Sequence, residues 1–143
     1  MNLYLMFNEA LKDQAFLDII SMNSYTAKVT SADGTSYTPT WQATNYYSAG
    51  EATPPDGIHV YGGKTGTTDQ AGNCVILYEK NTAGEPYISV IMGASDKPLL
   101  YEEMNELLDA GMKIDPRKCQ KTSFGIANDA SFRTNLNFDL PPL

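Results

Sequence analysis

Residues Ile58 to Thr65, Asn73 to Lys80 and Tyr87 to Gly93 are three β-prone segments that follow one another with only Thr67 to Gly72 and Asn81 to Pro86 between them. A parallel crossover needs a dozen or more residues, whereas antiparallel neighbours can be joined by a tight turn. The chain is therefore committed to an antiparallel meander over this stretch, and the elements on either side must supply what covers it.

Those flanks read as helices and a hairpin. Leu3, Met6, Phe7, Ala10 and Leu11 recur at i, i+3, i+4, i+7 and i+8, which predicts an amphipathic helix with this face toward the core. Asp13 is placed to cap a second short helix that points Phe16, Ile19 and Ile20 inward and ends near Ser21 to Asn23. Tyr25 to Val29 and Ser36 to Trp41 flank the turn signal Ala32-Asp33-Gly34 and predict a hairpin. Ala43 to Gly57, with Pro54-Pro55-Asp56-Gly57 at its end, predicts a long surface loop, in which Trp41 just before it and Tyr46 and Tyr47 within it serve as anchors in preference to a groove lining. After the meander, Asp96 and Pro98 start a helix with the stripe Leu100, Met104, Leu107 and Leu108, ending at Gly111. The fold class is α/β, an antiparallel sheet flanked by helices.

A chain of 143 residues, 42% hydrophobic and 19% charged, has the makeup of one ordinary globular domain. Its formal net charge of -7 gives no electrostatic basis for following a phosphate backbone, so no nucleic-acid partner is expected. No run reaches the roughly 20 apolar residues of a membrane span, and Met1 to Ile20 lacks a signal-peptide core, so an export signal would have to lie upstream. Cys74 and Cys119 lack zinc-site spacing; a bridge between them is unforced, and Cys74, ahead of Val75-Ile76-Leu77, reads as a small buried core residue. His59 is the single histidine and falls inside a strand, which leaves multi-histidine metal sites out and makes a histidine triad a poor reading. No metal or cofactor is expected.

The segment that carries chemistry is Gly62-Gly63-Lys64-Thr65-Gly66-Thr67-Thr68. A phosphate-binding loop would need glycine where Ile58 stands and a helix after the threonine, where Gly66 and another strand follow instead. The alternative is the Lys-Thr-Gly element of the penicillin-recognising serine enzymes. Lys64 would bring positive potential to a substrate carboxylate, Thr65 a hydroxyl donor, and Gly66 an unobstructed strand along which a peptide backbone can lie. Lys64 and Thr65 leave opposite faces of an ideal strand, so for both to serve one site that strand must be a sheet edge facing a cleft. As alternatives, Gly62 and Gly63 would simply mark a bulge and Lys64 a solvated strand end.

Over Leu3 to Met112 the sequence resembles the serine-type D-alanyl-D-alanine carboxypeptidases. The resemblance rests on Phe16-Leu17-Asp18-Ile19-Ile20-Ser21 followed by Ser24-Tyr25-Thr26, on Thr44-Asn45, on Gly63-Lys64-Thr65-Gly66, and on Ala71-Gly72 with Cys74. Ile91-Met92-Gly93-Ala94 and the Leu-Leu-Asp-x-Gly phrase over Leu107 to Gly111 complete it. It implies the C-terminal part of a serine-β-lactamase-like transpeptidase fold over residues 1–112, with 113–143 as a tail. Lys64, Thr65, Gly66 and Thr67 would form the substrate-binding strand, with Lys64 and Thr67 also catalytic, Thr67 through a backbone N–H in the oxyanion hole. The implied partners are peptidoglycan stem peptides ending in D-Ala-D-Ala, and β-lactams as inhibitors, at an extracytoplasmic location in the cell envelope. The departure is as informative as the match: no Ser-x-x-Lys occurs, so the acylated serine and its lysine are absent, and Ser21-Met22-Asn23 is read as a chance match to Ser-x-Asn. The alternative function is a non-catalytic domain that binds cell-wall peptides.

In that family the strand equivalent to Tyr87 to Gly93 pairs on its outer side with an N-terminal strand that this sequence lacks. Phe132, Leu136, Phe138 and Leu140 alternate with polar residues and predict a strand over 131–140. That strand is expected to cover the edge, within its own chain or exchanged with a second copy to give a homodimer.

Overall fold

The computed structural model describes residues 3–113. Its opening helices are α1 (Leu3–Ala10) and α2 (Gln14–Ser21). Asp13 caps α2 as expected: its carboxylate accepts from the backbone N–H groups of Ala15 at 2.8 Å and Phe16 at 3.4 Å, donors that have no partner inside the helix.

The buried faces are narrower than the periodicity predicts. Of α1 only Phe7 is buried, while Leu3 is 39% and Met6 48% exposed, and in α2 Ile20 is buried but Ile19 is 65% exposed. Adjacent helical positions point about 100° apart, so α2 cannot bury both isoleucines against one neighbour. It buries the stripe that Ile20 shares with the partly buried Phe16 and Leu17.

The expected hairpin is two short ladders in line. β1 (Ser24–Thr26) pairs antiparallel with β4 (Thr40–Gln42), and β2 (Val29–Thr30) pairs with β3 (Ser36–Tyr37) closer to the turn. Asp33 tightens that turn by accepting from Thr35 N–H at 2.9 Å, and this bond holds its carboxyl below the usual range.

The segment expected as a plain surface loop contains α3 (Tyr46–Ala49), started by Asn45, whose side chain accepts from Tyr47 N–H at 3.1 Å. The loop reading fails because the tyrosines reach inward. Tyr46 stacks on Tyr101 at 4.5 Å, and Tyr47 meets the same ring edge-on at 5.3 Å and donates its hydroxyl to Asn105 at 2.8 Å. These two are anchors, as expected. Trp41 is not: it is exposed and stacks on exposed Tyr25 across the β1–β4 pair at 6.4 Å.

The meander is β5 (Ile58–Thr68), β6 (Gly72–Asn81) and β7 (Pro86–Ala94), antiparallel in the order β5-β6-β7. β5 runs further than expected, since Thr67 and Thr68 remain paired with Asn73 and Gly72. The register slips between Val60 and Gly62, which is the bulge that the paired glycines signal. Helix α4 (Lys97–Met112) follows, with Asp96 accepting from Leu99 N–H at 2.9 Å, and it runs through Gly111 to end one residue beyond it.

Strand alternation divides the sheet into two faces. Val75, Leu77 and Ile91 lie under α4, where Leu100, Tyr101, Met104 and Leu108 complete the larger core. Ile76 lies on the opposite face with Phe7 and Ile20. The result is α/β, an antiparallel sheet with helices on both faces. Cys74 is half-buried, not a core residue, because it precedes the fully covered run that begins at Val75. Its possible partner Cys119, the tail expected from 113 onward and the strand expected over 131–140 with its cover of the β7 edge lie outside the described residues, save Lys113.

Candidate functional site

Among the described residues β5 has a strand on one side alone, so Lys64, Thr65 and Gly66 lie on a sheet edge, the condition under which adjacent strand residues can serve one site. The register places Lys64 opposite Ile76 and Thr65 opposite Val75, hence on opposite faces. The long lysine side chain folds onto the strand's own backbone, where its ammonium donates to the carbonyl oxygen of Thr65. A cation and a hydroxyl-bearing residue are thereby brought to the same stretch of edge.

The Thr65 hydroxyl lies 2.6 Å from that of Thr44, the residue just before the α3 cap Asn45. Gly66 adds open space: a Cβ built there meets no atom of the described residues beyond its chain neighbours within 4 Å. Thr67, one step further, donates its hydroxyl to Asn73 Oδ1 across the β5–β6 pair at 3.2 Å, so its side chain is engaged in the ladder. The preceding glycines are crowded instead. A Cβ at Gly62 would lie 2.1 Å from the Ile20 carbonyl oxygen, and one at Gly63 would lie 2.2 Å from that of Ile76. They let α2 and β6 approach the strand whose next residues form the candidate site.

Two other charged groups near the sheet behave differently from Lys64. Lys80 lies over the rings of Tyr61 at 5.0 Å and Tyr78 at 5.9 Å, a cation–π arrangement away from the Lys-Thr-Gly triplet. Glu79 is 1% exposed; it accepts from the Ser89 hydroxyl at 2.5 Å through Oε1, and its Oε2 has no hydrogen-bond partner among the described residues. Burial pushes its carboxyl up to about 7, against the lowering effect of the Ser89 bonds. The Tyr47 hydroxyl is also pushed up, first by burial and then by Tyr101 and the charge of Glu79.

His59 is exposed on β5 with its ring edge-on to Tyr61 at 4.5 Å. The hydroxyl of Ser21 donates to Asp18 O at 2.9 Å, closing the last turn of α2. Among the described residues no group of three or more His, Cys, Asp or Glu side chains is placed to hold a metal ion, and no helix is long and apolar enough to cross a membrane. Sequence reasoning assigned no role to Thr44 and none to Glu79. Thr44-Asn45 was visible as part of the resemblance, but its approach to Thr65 spans 21 residues of chain.

The architecture is that of a DD-peptidase-like α/β domain in part. The chain is similar in structure to a D-alanyl-D-alanine carboxypeptidase from Mycobacterium tuberculosis H37Rv, with a TM-score of 0.59 and 19% sequence identity over 78% of this chain. The likeness is one of fold, and it spans 39% of the length of that protein. No family model and no curated protein matches the chain.

Proposed function

We propose that this chain supplies the Lys-Thr-Gly substrate-binding strand of a serine-type D-Ala-D-Ala carboxypeptidase acting on peptidoglycan stem peptides in the cell envelope. The observation that carries the reading is the sheet edge at which the Lys64 ammonium turns onto Thr65, beside the open space over Gly66. A peptide laid along this edge gains backbone hydrogen bonds, while its terminal carboxylate meets Lys64 and the Thr65 hydroxyl. In the complete reaction a serine attacks the penultimate D-Ala carbonyl, D-Ala leaves and water releases the acyl-enzyme, with Thr67 N–H as one oxyanion donor. The sequence contains no Ser-x-x-Lys, so under this reading the nucleophile comes from residues outside it. The same absence favours a second reading, a domain that binds cell-wall peptides without turning them over.

Titration of the chain with an acyl-D-Ala-D-Ala peptide tests the shared element of both readings. Lys64→Ala is expected to weaken binding by about one to two decades, the worth of a charge-assisted hydrogen bond of roughly 1.5–3 kcal/mol, whereas Lys80→Ala leaves it unchanged. Equal losses would mean that the triplet is a coincidence.

Incubation with a penicillin is expected to leave the intact mass of the chain unaltered, since the sequence has no Ser-x-x-Lys to supply an activated serine that opens the lactam ring. A stoichiometric adduct on any serine would sink the claim that the nucleophile lies elsewhere.

A further inference from the structure

The Thr44–Thr65 hydroxyl pair, at 2.6 Å, holds two protons and needs one of them for the bond between the oxygens. Which oxygen donates decides what is left over. If Thr65 donates to Thr44, the Thr65 proton is spent; if Thr44 donates, Thr65 keeps its proton for something else. Thr44 is held in place through its neighbours. Ala43 N–H, just before it, donates to Asn23 O at 2.8 Å. Asn45, just after it, is 3% exposed and caps α3, and Tyr46 N–H donates to the Tyr101 hydroxyl at 2.9 Å. Thr44 itself is exposed, so its place comes from its neighbours' hydrogen bonds and not from its own burial.

Resting on the carboxylate-binding reading of this strand, we propose that Thr44 is a positioning residue that donates its hydroxyl proton to Thr65, holding the Thr65 side chain in one rotamer and leaving the Thr65 proton aimed at a ligand carboxylate. A threonine in a strand has more than one χ1 well open to it. A fixed donor on the neighbouring loop selects one of them before the ligand arrives, which lowers the ordering cost of binding. The chain Thr44 O–H to Thr65 O–H to carboxylate also polarises in one direction, so that the second bond is strengthened by the first. Sensing of the C-terminal carboxylate thus depends on a residue that need not touch it.

The test compares an acyl-D-Ala-D-Ala peptide with the same peptide ending in a carboxamide, titrated into the full chain and followed by NMR. Thr44→Val, similar in shape and at an exposed position, is expected to reduce the preference for the acid over the amide by about 3- to 10-fold, the range of one neutral hydrogen bond. Thr44→Ser should restore it. In a Thr65→Val background Thr44→Val should add nothing, because a residue acting through Thr65 has nothing left to act on. Without ligand, the Thr65 χ1 couplings should become rotamer-averaged in Thr44→Val. A wild-type preference for the acid that Thr44→Val leaves intact, an equal further loss in the Thr65→Val background, or an unchanged Thr65 rotamer overturns this inference alone. Wild-type chain that binds acid and amide equally overturns the carboxylate reading and this inference together.

Discussion

The stability of Glu79→Gln relative to the native chain is expected to rise by roughly 3 kcal/mol between about pH 4 and pH 8. Glu79 is 1% exposed on β6, with one oxygen bonded to Ser89 and the other without a hydrogen-bond partner among the described residues. Its charged form has lost water and gained only hydrogen bonding from Ser89 in return, so the folded chain prefers the neutral acid, and its carboxyl rises from the ordinary 4.5 to about 7. Below about pH 4.5 the group is protonated in both folded and unfolded chains and contributes no penalty. As pH rises from there, the unfolded chain ionises first and gains the advantage. The penalty grows until the folded group ionises near 7 and stays constant above it. Glutamine keeps an acceptor for Ser89 and removes the ionisation. Urea unfolding of both proteins between about pH 4 and 8 gives a difference curve in which other titrating groups largely cancel. A flat difference would show that Glu79 is solvated or paired in the folded chain.

The sequence carries no sign of this burial. Glu79 stands between Tyr78 and Lys80 in a strand, and alternation alone cannot say that the face it shares with Val75 and Leu77 is the one α4 covers so completely. The meander itself was legible, because short Gly- and Asn-bearing connections permit little else, and so were the helix starts at Asp13 and Asp96, where a carboxylate meets orphan N–H groups. What escaped depends on partners distant in sequence. Helix α3 has four residues, too few to show a period, and is held by Tyr101, some 55 residues on. Ile19 and Ile20 are equally apolar, and only the position of β5 decides which is covered. Of the candidate site, Lys64 and Thr65 were legible from chemistry, with the demand for a sheet edge attached. That Thr65 has a hydroxyl partner in Thr44 follows from how the loop is anchored, which no spacing encodes.

The glycines around the triplet divide sharply between crowded and open positions, and substitution should separate them. Gly62→Ala is expected to destabilise the chain at or beyond the upper end of the roughly 1–3 kcal/mol usual for overpacking. The added Cβ would lie 2.1 Å from the Ile20 carbonyl oxygen, 2.6 Å from its carbon and 3.0 Å from the Ser21 nitrogen. All three are backbone atoms in the last turn of α2, so no side chain can swing aside. Relief requires moving α2 off the strand, which uncovers Ile20 and the smaller core it shares with Phe7 and Ile76. Gly66→Ala provides the contrast: its Cβ meets nothing among the described residues within 4 Å, so unfolding should shift little, while peptide binding along β5 should fall because the methyl occupies the space that the proposed ligand needs. Urea midpoints and peptide titrations on the two variants should therefore move in opposite patterns. Equal midpoints would mean that α2 does not sit against Gly62, and a Gly66→Ala chain that binds peptide as tightly as the native one would place the ligand elsewhere than on this edge.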